Sequence, residues 1–167
     1  MGYKDHLFDL PDEVSFSIMI ISDSRTEATD ETGKYLLSAI PESGNLVIEY
    51  GVVKNDALQI TEKFSQFMSN IECDVVICSG GTGASHKDLT IETLTPFMDK
   101  IMDGFGEVFR RFSFDEIGTG AILSRATAGI KDGKVVIMLP GSLKAVQLAF
   151  EKIIEPEIRH LVREARR

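Results

Sequence analysis

Short apolar runs that end in polar or glycine-rich segments recur along the chain. They cover residues 15–21, 46–53, 74–78 and 135–139. Runs of this length, bounded by turn-forming residues, are typical of buried strands. We therefore predict four strands at these positions.

Between the predicted strands, apolar residues recur at spacings of three and four, as on one face of a helix. The three stripes are Ala57, Ile60, Phe64, Phe67 and Ile71; Phe105, Val108, Phe109 and Phe112; and Leu143, Val146, Phe150, Ile153 and Ile154. Asp56 is the expected N-cap of the first helix, and Pro156 is expected to interrupt or kink the last. Each stripe is most simply a core face.

Strands that alternate with helices indicate parallel βαβ units, in which helices cover both faces of a central sheet. Asp132-Gly133 lies between the apolar runs 126–130 and 135–139, which favours a tight turn between antiparallel strands. The predicted fold is a three-layer α/β/α domain with a mostly parallel central sheet and an antiparallel edge pair.

The length of 167 residues suits one domain spanning 1–167, with residues 1–12 as a flexible N-terminal arm. Eighteen basic and 26 acidic side chains give a formal charge of −8, which opposes generic binding to nucleic acid or to an anionic membrane. No stretch reaches the roughly 18 apolar residues of a transmembrane helix, and the start lacks a signal-peptide core. These features predict a cytoplasmic protein.

The only cysteines, Cys73 and Cys78, lack the spacing of zinc and redox motifs and provide no disulfide framework. His86 is a lone histidine without a clustered carboxylate, so zinc hydrolase chemistry has no support. A G-x-S-x-G nucleophile motif is also absent from the sequence.

Three loops follow predicted strands and are the expected location of any chemistry. They cover residues 22–24, 79–85 and 139–142. In an open α/β sheet, such loops gather at the carboxyl edge beside helix N-termini, where anions bind. We therefore predict one pocket for an anionic ligand.

The strongest local signal is Gly80-Gly81-Thr82-Gly83, whose backbone N–H groups are able to hold a phosphate. The loop lacks the lysine of a Walker motif and the spacing of a dinucleotide-binding motif, which disfavours a P-loop NTPase and a Rossmann dehydrogenase. The alternative interpretation is a tight strand-to-helix turn.

Asp88 lies near the start of a predicted helix. Its carboxylate is suited to hold Mg²⁺ beside phosphates, and the alternative is a helix N-cap. Lys54, Lys87, Arg125 and Lys144 are candidate sources of the local positive charge that the overall balance lacks.

Seven short motifs occur in the order found in one known family. They are Ser22-Asp23; Asp30 with Thr32-Gly33; Ser79-Gly80-Gly81-Thr82-Gly83; Lys87-Asp88-Leu89-Thr90; Gly104-Phe105-Gly106-Glu107-Val108-Phe109-Arg110; Ser124-Arg125-Ala126; and Leu139-Pro140-Gly141-Ser142. On these motifs, nearly the whole chain resembles the MoaB/MogA family of molybdenum cofactor biosynthesis proteins, which is related to the gephyrin G domain.

The resemblance implies molybdopterin binding and, in active members, Mg²⁺-dependent transfer of AMP from ATP to molybdopterin with release of pyrophosphate. It also implies a homotrimer or homohexamer and handover of the product to a metal-inserting protein. By matching position, Asp88 is the expected catalytic acid and Mg²⁺ ligand. The expected substrate-binding residues are Asp23, Ser79, Gly80, Gly81, Thr82, Gly83, Lys87, Thr90, Arg125, Pro140, Gly141 and Ser142.

The chain departs from the family pattern after the second strand, where active members carry a second aspartate and this sequence has Asn55. Asp56 is able to replace that acid only if the loop is re-registered. Three functions therefore stay open: an adenylyltransferase in molybdenum or tungsten cofactor synthesis, a molybdopterin-binding or carrier protein without catalysis, and a nucleotide pyrophosphatase on the same fold. The second predicts that Asn55→Asp restores activity.

Overall fold

The computed structural model describes residues 10–167 and contains one six-stranded sheet within them. The strands are β1 (Ser15–Ile21), β2 (Leu46–Val53), β3 (Val75–Ser79), β4 (Lys100–Ile101), β5 (Thr127–Lys131) and β6 (Lys134–Leu139). Their order is β2-β1-β3-β6-β5-β4. The first four in this order are parallel, whereas β5 and β4 are antiparallel to their neighbours. The predicted sheet is confirmed, including its antiparallel edge.

The turn between β5 and β6 has the backbone geometry that an Asp-Gly pair favours. Asp132 and Gly133 both have positive φ angles, 49° and 74°. Two consecutive residues with positive φ are the signature of the type I′ hairpin turn.

The helices cover both faces of the sheet. They are α1 (Glu31–Glu42), α2 (Ala57–Ser69), α3 (Thr90–Leu94), α4 (Asp103–Ile117), α5 (Leu143–Ala149) and α6 (Glu155–Ala165). One core cluster joins α1, α4, α5 and α6 to one face, and a second joins α2 and α3 to the other. Alternate residues of β1 enter the two clusters, Ile18 the first and Met19 the second. The three-layer prediction is confirmed.

Two details of the predicted helices differ from the structure. Ile71 is 90% exposed because α2 ends at Ser69, and the Asn70 side chain accepts a hydrogen bond from the Glu72 amide in the turn that follows. Pro156 does not end the last helix. A π-helical turn over Phe150–Ile154 precedes it, and Pro156 lies in the first turn of α6, where its missing N–H is tolerated.

Cys73 and Cys78 are free and buried, and burial raises the pKa of the Cys78 thiol. Within residues 10–167, no helix combines the length and apolar character needed to span a membrane. Most of the predicted N-terminal arm, residues 1–9, lies outside the described residues, and residues 10–12 form neither helix nor strand.

Candidate functional site

The three predicted loops line one cavity at the carboxyl edge of the sheet. β1, β3 and β6 are neighbours and end side by side, so the loops that follow them converge. The cavity has a volume of about 500 Å³, and α4 and the 3₁₀ segment Gly118–Leu123 complete its wall. Loop residues at the cavity are Ser22, Ser24, Arg25, Gly80, Gly81, Thr82, Gly83, Asp88, Pro140, Gly141 and Ser142.

The floor of the cavity requires glycine at two positions. Gly80 has a φ of 107°, and a Cβ atom there would lie 2.1 Å from the Ile21 carbonyl oxygen. Gly81 has a φ of 62°, and its Cβ would lie 2.5 Å from Thr90 Oγ1. Side chains are therefore excluded where the chain turns out of β3.

Thr90 and Ser79 brace this floor. Thr90 Oγ1 donates to the Gly80 carbonyl oxygen at 2.7 Å, and the Thr90 amide donates to the Gly81 carbonyl oxygen at 2.9 Å. Ser79 Oγ donates to the Pro140 carbonyl oxygen at 3.1 Å and so ties the β3 loop to the β6 loop. Both side chains were predicted to bind substrate, and in the structure their hydroxyl groups hold the loops.

The β6 loop packs closely against the glycine loop. A Cβ atom on Gly141 would lie 3.2 Å from Gly80 Cα. Ser142 is the N-cap of α5, since its Oγ accepts from the Ala145 amide at 3.3 Å. Pro140, Gly141 and Ser142 all line the cavity, as the resemblance implies.

Asp88 lines the cavity with its carboxylate folded against the glycine loop. Its Oδ2 accepts from the Ser85 amide at 3.2 Å, and a Cβ on Gly83 would lie 2.6 Å from the same oxygen. The N-cap alternative is wrong, because Leu89 precedes α3 and no side chain caps that helix. The carboxylate is instead directed to the predicted phosphate loop.

Asn55 lies beside the segment Lys87-Asp88-Leu89, and both the nitrogen and the oxygen of its side-chain amide make hydrogen bonds there. Its Nδ2 donates to the Lys87 carbonyl oxygen, and its Oδ1 accepts from the Leu89 amide at 3.2 Å. The Asn55 amide N–H in turn donates to Asp23 Oδ1 at 3.0 Å. Asp23 and Asn55 thus hold the two residues that flank Asp88.

Asp56 is placed elsewhere. Its carboxylate accepts from the Gln59 amide at 3.0 Å and caps α2, as predicted from the sequence. It is exposed and does not line the cavity. Asn55 rather than Asp56 is therefore the residue of this loop whose side chain contacts the segment around Asp88.

None of the four predicted cations, Lys54, Lys87, Arg125 and Lys144, lines the cavity. Arg125 Nη1 donates to the Gly83 carbonyl oxygen at 2.9 Å, while Nη2 pairs with Glu92. The hydrogen bond from Arg125 lowers the pKa of Glu92. Lys87 is exposed, Lys54 Nζ donates to the Asp23 carbonyl oxygen at 2.6 Å, and neither lines the cavity.

Arg25 is a cavity residue that was not predicted from the sequence. It supplies the one cationic side chain among the described residues that line the cavity. Its Nη1 donates to the Gly141 carbonyl oxygen at 2.9 Å and to Thr32 Oγ1 at 3.1 Å. The available signal was its position directly after Ser22-Asp23-Ser24, in a loop already predicted to reach the pocket.

The side chains at the cavity fit Mg²⁺ only if substrate phosphates supply the other ligands of the ion. Among residues 10–167, no cluster of three or more His, Cys, Asp or Glu side chains is arranged to hold a metal ion. Asp88 offers one carboxylate, and Mg²⁺ often binds through one or two carboxylates with substrate phosphates and water completing its shell. Asp88 therefore fits as the protein's ligand to an Mg²⁺ ion that arrives with a phosphate substrate.

Comparison with known proteins gives matches over most of the chain. Residues 17–160 match the family described as "Probable molybdopterin binding domain". The chain is 40% identical over 168 residues to molybdenum cofactor biosynthesis protein B of Bacillus subtilis (strain 168), covering 100% of this chain and 99% of that protein.

Two solved structures share the fold. A crystal structure of molybdenum cofactor biosynthesis protein B superposes with a TM-score of 0.89 at 43% identity, over 93% of this chain and 97% of that one. The tungsten cofactor synthesizing protein MoaB from Pyrococcus furiosus superposes with a TM-score of 0.83 at 34% identity, over 94% and 99% of the two chains.

Proposed function

Because the chain belongs to the MoaB/MogA family of molybdenum cofactor biosynthesis proteins, we propose that its cavity binds molybdopterin and that it transfers AMP from ATP to this ligand. The observation that carries the proposal is the meeting of the glycine loop, Asp88 and Arg25 in one cavity. The product is adenylylated molybdopterin, and pyrophosphate leaves.

In this reaction an oxygen of the molybdopterin phosphate attacks the α-phosphorus of ATP. A new P–O bond forms, and the bond to the bridging oxygen of the departing pyrophosphate breaks. The attacking phosphate is already ionised, so the step needs alignment and charge neutralisation more than a general base.

The residues of the cavity supply those two requirements. The glycine loop lines the cavity, and the Gly80 amide donates to the Leu139 carbonyl oxygen, so the backbone amides after Gly80 would bind phosphate oxygens. The Arg25 guanidinium adds a positive charge. Asp88 would hold Mg²⁺, and when bound this ion offsets the negative charge on the phosphates. Asn55 and Asp23 keep the Asp88 segment in place.

Asp88→Asn tests the proposal. We expect the wild-type protein, incubated with molybdopterin, ATP and Mg²⁺, to form adenylylated molybdopterin and pyrophosphate, and the variant to lose at least about a hundredfold in rate, on the order of one lost charge-stabilising group. Mass spectrometry of the products measures this. Hydrolysis of a nucleotide without molybdopterin would instead support the pyrophosphatase alternative.

A second candidate is a molybdopterin-binding or carrier protein that performs no chemistry. The observation that favours it is Asn55, whose amide cannot supply the charge of the second aspartate found in active members. In that case the same incubation returns bound but unchanged molybdopterin, and Asp88→Asn leaves the products as they were.

We also propose that the chain forms a homo-oligomer, a homotrimer or homohexamer as the resemblance implies, and passes its product to a metal-inserting protein. Large apolar side chains are exposed at the end of α4 and in the following 3₁₀ segment, namely Phe114, Ile117, Ile122 and Leu123. Adjacent exposed apolar side chains of this size are typical of interaction surfaces.

A further inference from the structure

We propose that Arg25 is the residue that binds a phosphate group of the ligand in this cavity. The proposal rests on the proposed function for the identity of that ligand, but the phosphate site itself can be tested separately. Arg25 comes from the loop after β1, which the family resemblance marks only by Ser22-Asp23.

The electrostatics of the cavity point to this residue. Among the described side chains that line it, Arg25 is the cation and Asp88 the carboxylate. The formal charge of the whole chain is −8, so an anionic ligand depends on local positive charge. Arg125 is the other arginine close to the glycine loop, but the Gly83 carbonyl oxygen and Glu92 occupy both of its Nη atoms, and it does not line the cavity.

Contacts on one side hold the Arg25 guanidinium in place. Nη1 makes both of its hydrogen bonds to protein oxygens, those of Gly141 and Thr32. Nε and Nη2 donate to no residue within 10–167, and the side chain is 34% exposed. The guanidinium is therefore anchored at one nitrogen, and its other donors are available to a ligand.

A buried carboxylate supports this arrangement. Asp30 is fully buried, and its Oδ2 accepts from the Gly33 amide at 3.0 Å and from the Tyr50 hydroxyl at 2.8 Å. Its Oδ1 has no hydrogen-bond partner in the described chain and lies 3.7 Å from Arg25 Nη1. Because an isolated buried charge is unfavourable, Asp30 holds the guanidinium close to the cavity wall.

The chemistry of arginine matches a phosphate better than a neutral ligand. The planar guanidinium presents parallel N–H groups that bind two oxygens of one phosphate, and such charge-assisted bonds are stronger than neutral ones. The phosphate has two sources here, the phosphate of molybdopterin and the triphosphate of ATP. Separate titrations of the two ligands distinguish them.

The test compares Arg25→Met with Arg111→Met. Arg111 lies on the exposed face of α4 and pairs with Asp115, so its replacement removes the same charge away from the cavity. Calorimetric titrations use inorganic pyrophosphate, ATP and molybdopterin in turn. We expect Arg25→Met to bind at least one of them roughly tenfold more weakly or worse, as a lost hydrogen bond to a charged group predicts, and Arg111→Met to match the wild type.

A double variant, Arg25→Met with Asp30→Asn, covers the case in which Arg25→Met fails to fold. Asparagine keeps the capping oxygen of α1, and no uncompensated charge is buried. We expect the same loss of phosphate affinity in this variant. Wild-type affinity for all three ligands in a folded variant would overturn the proposal and leave Arg25 as a structural tie between loops. A wild-type protein that binds none of the three would also overturn it.

Failure of the proposed function gives a different result. If pyrophosphate or ATP binds through Arg25 and adenylylated molybdopterin never forms, the phosphate site is supported and the proposed adenylyl transfer is contradicted. If Arg25→Met forms the product as well as the wild type does, the proposed adenylyl transfer is supported and the proposed role of Arg25 is contradicted.

Discussion

At the scale of single residues, the position of Asp88 depends on side chains from two other loops. Asp23 accepts the Asn55 amide N–H, and Asn55 binds the backbone on both sides of Asp88. The Asn55 side chain needs a donor for Lys87 and an acceptor for Leu89. An amide has both groups, whereas an ionised carboxylate only accepts.

Asn55→Asp is therefore expected to weaken the site rather than to restore a missing acid. The carboxylate would face the Lys87 carbonyl oxygen without a proton to share. We expect a loss of about 1 kcal/mol in the free energy of unfolding, since one partly exposed hydrogen bond is lost. Adenylylated molybdopterin should not increase. Thermal unfolding and product analysis measure the two effects.

Asp56→Asn is the matched control for that experiment. It replaces a carboxylate by an amide one residue later in the chain. Asparagine caps a helix about as well as aspartate. Stability and product formation should be unchanged. Greater product formation by Asn55→Asp would contradict our interpretation of Asn55, and loss of product in Asp56→Asn would identify Asp56 as a catalytic acid.

At the scale of elements, β3 and its glycine loop form the floor on which the cavity is built. The strand is buried along its length between β1 and β6, and the chain must turn sharply where it ends. The turn passes so close to Ile21 that no Cβ fits at Gly80. The shape of the floor is thus determined by backbone packing between neighbouring strands.

Gly80→Ala is expected to be strongly destabilising. The positive φ alone costs about 1–3 kcal/mol, and displacement of the Ile21 carbonyl adds to this. Gly104→Ala is the control, because Gly104 lies in the first turn of α4 and, apart from its chain neighbours and the backbone of its own helix, nothing lies within 4 Å of the position that its methyl group would take. It should be neutral or stabilising by up to about 1 kcal/mol. Chemical denaturation compares the two, and equal stabilities would contradict the steric argument.

The elements that could be predicted from sequence are those with a long, regular apolar pattern. β1 and β2 have the bounds that their apolar runs indicate, and the Asp132-Gly133 turn follows from residue type. β4 was missed because two exposed residues, Lys100 and Ile101, have no period to detect. The end of α2 was misjudged because the turn at Asn70 is made by side-chain hydrogen bonds.

The sequence predicts which loops form the site, but not which atoms of those loops face the cavity. Sheet topology brings the three loops together, and this follows from the order of strands and helices. Which oxygen braces a loop and which faces the cavity depends on contacts between residues distant in sequence. Thr90 and Ser79 brace the loops, and Arg25 is held at the cavity by its hydrogen bond to the carbonyl oxygen of Gly141, 116 positions away. No local pattern encodes those contacts.

At the scale of the whole molecule, the exposed apolar surface lies next to the cavity. Ile122 is 82% exposed and Leu123 is 67% exposed, and Leu123 also lines the cavity wall. A second subunit packed on this surface would contact Leu123, which is a residue of the cavity wall. Assembly and ligand binding are therefore expected to influence each other.

Ile122→Glu tests the proposed oligomer. We expect the wild-type protein to have the mass of a trimer or hexamer, and the variant to dissociate because a charge would be buried at the contact. Ile71→Glu is the control, since Ile71 is also an exposed isoleucine and lies on a turn after α2. Light scattering after size-exclusion chromatography gives the masses. An unchanged mass for Ile122→Glu would place the interface elsewhere.

The close contact between Gly80 and Gly141 limits how this cavity is able to change over evolution. A side chain on Gly141 would meet Gly80 Cα, and a side chain on Gly80 would meet the Ile21 carbonyl oxygen, so a substitution at either glycine needs a compensating change in the neighbouring loop. The wall formed by α4 and the 3₁₀ segment carries no such mutual restriction. New ligand preferences on this scaffold should therefore arise through the wall, one substitution at a time, while the floor is inherited as a unit.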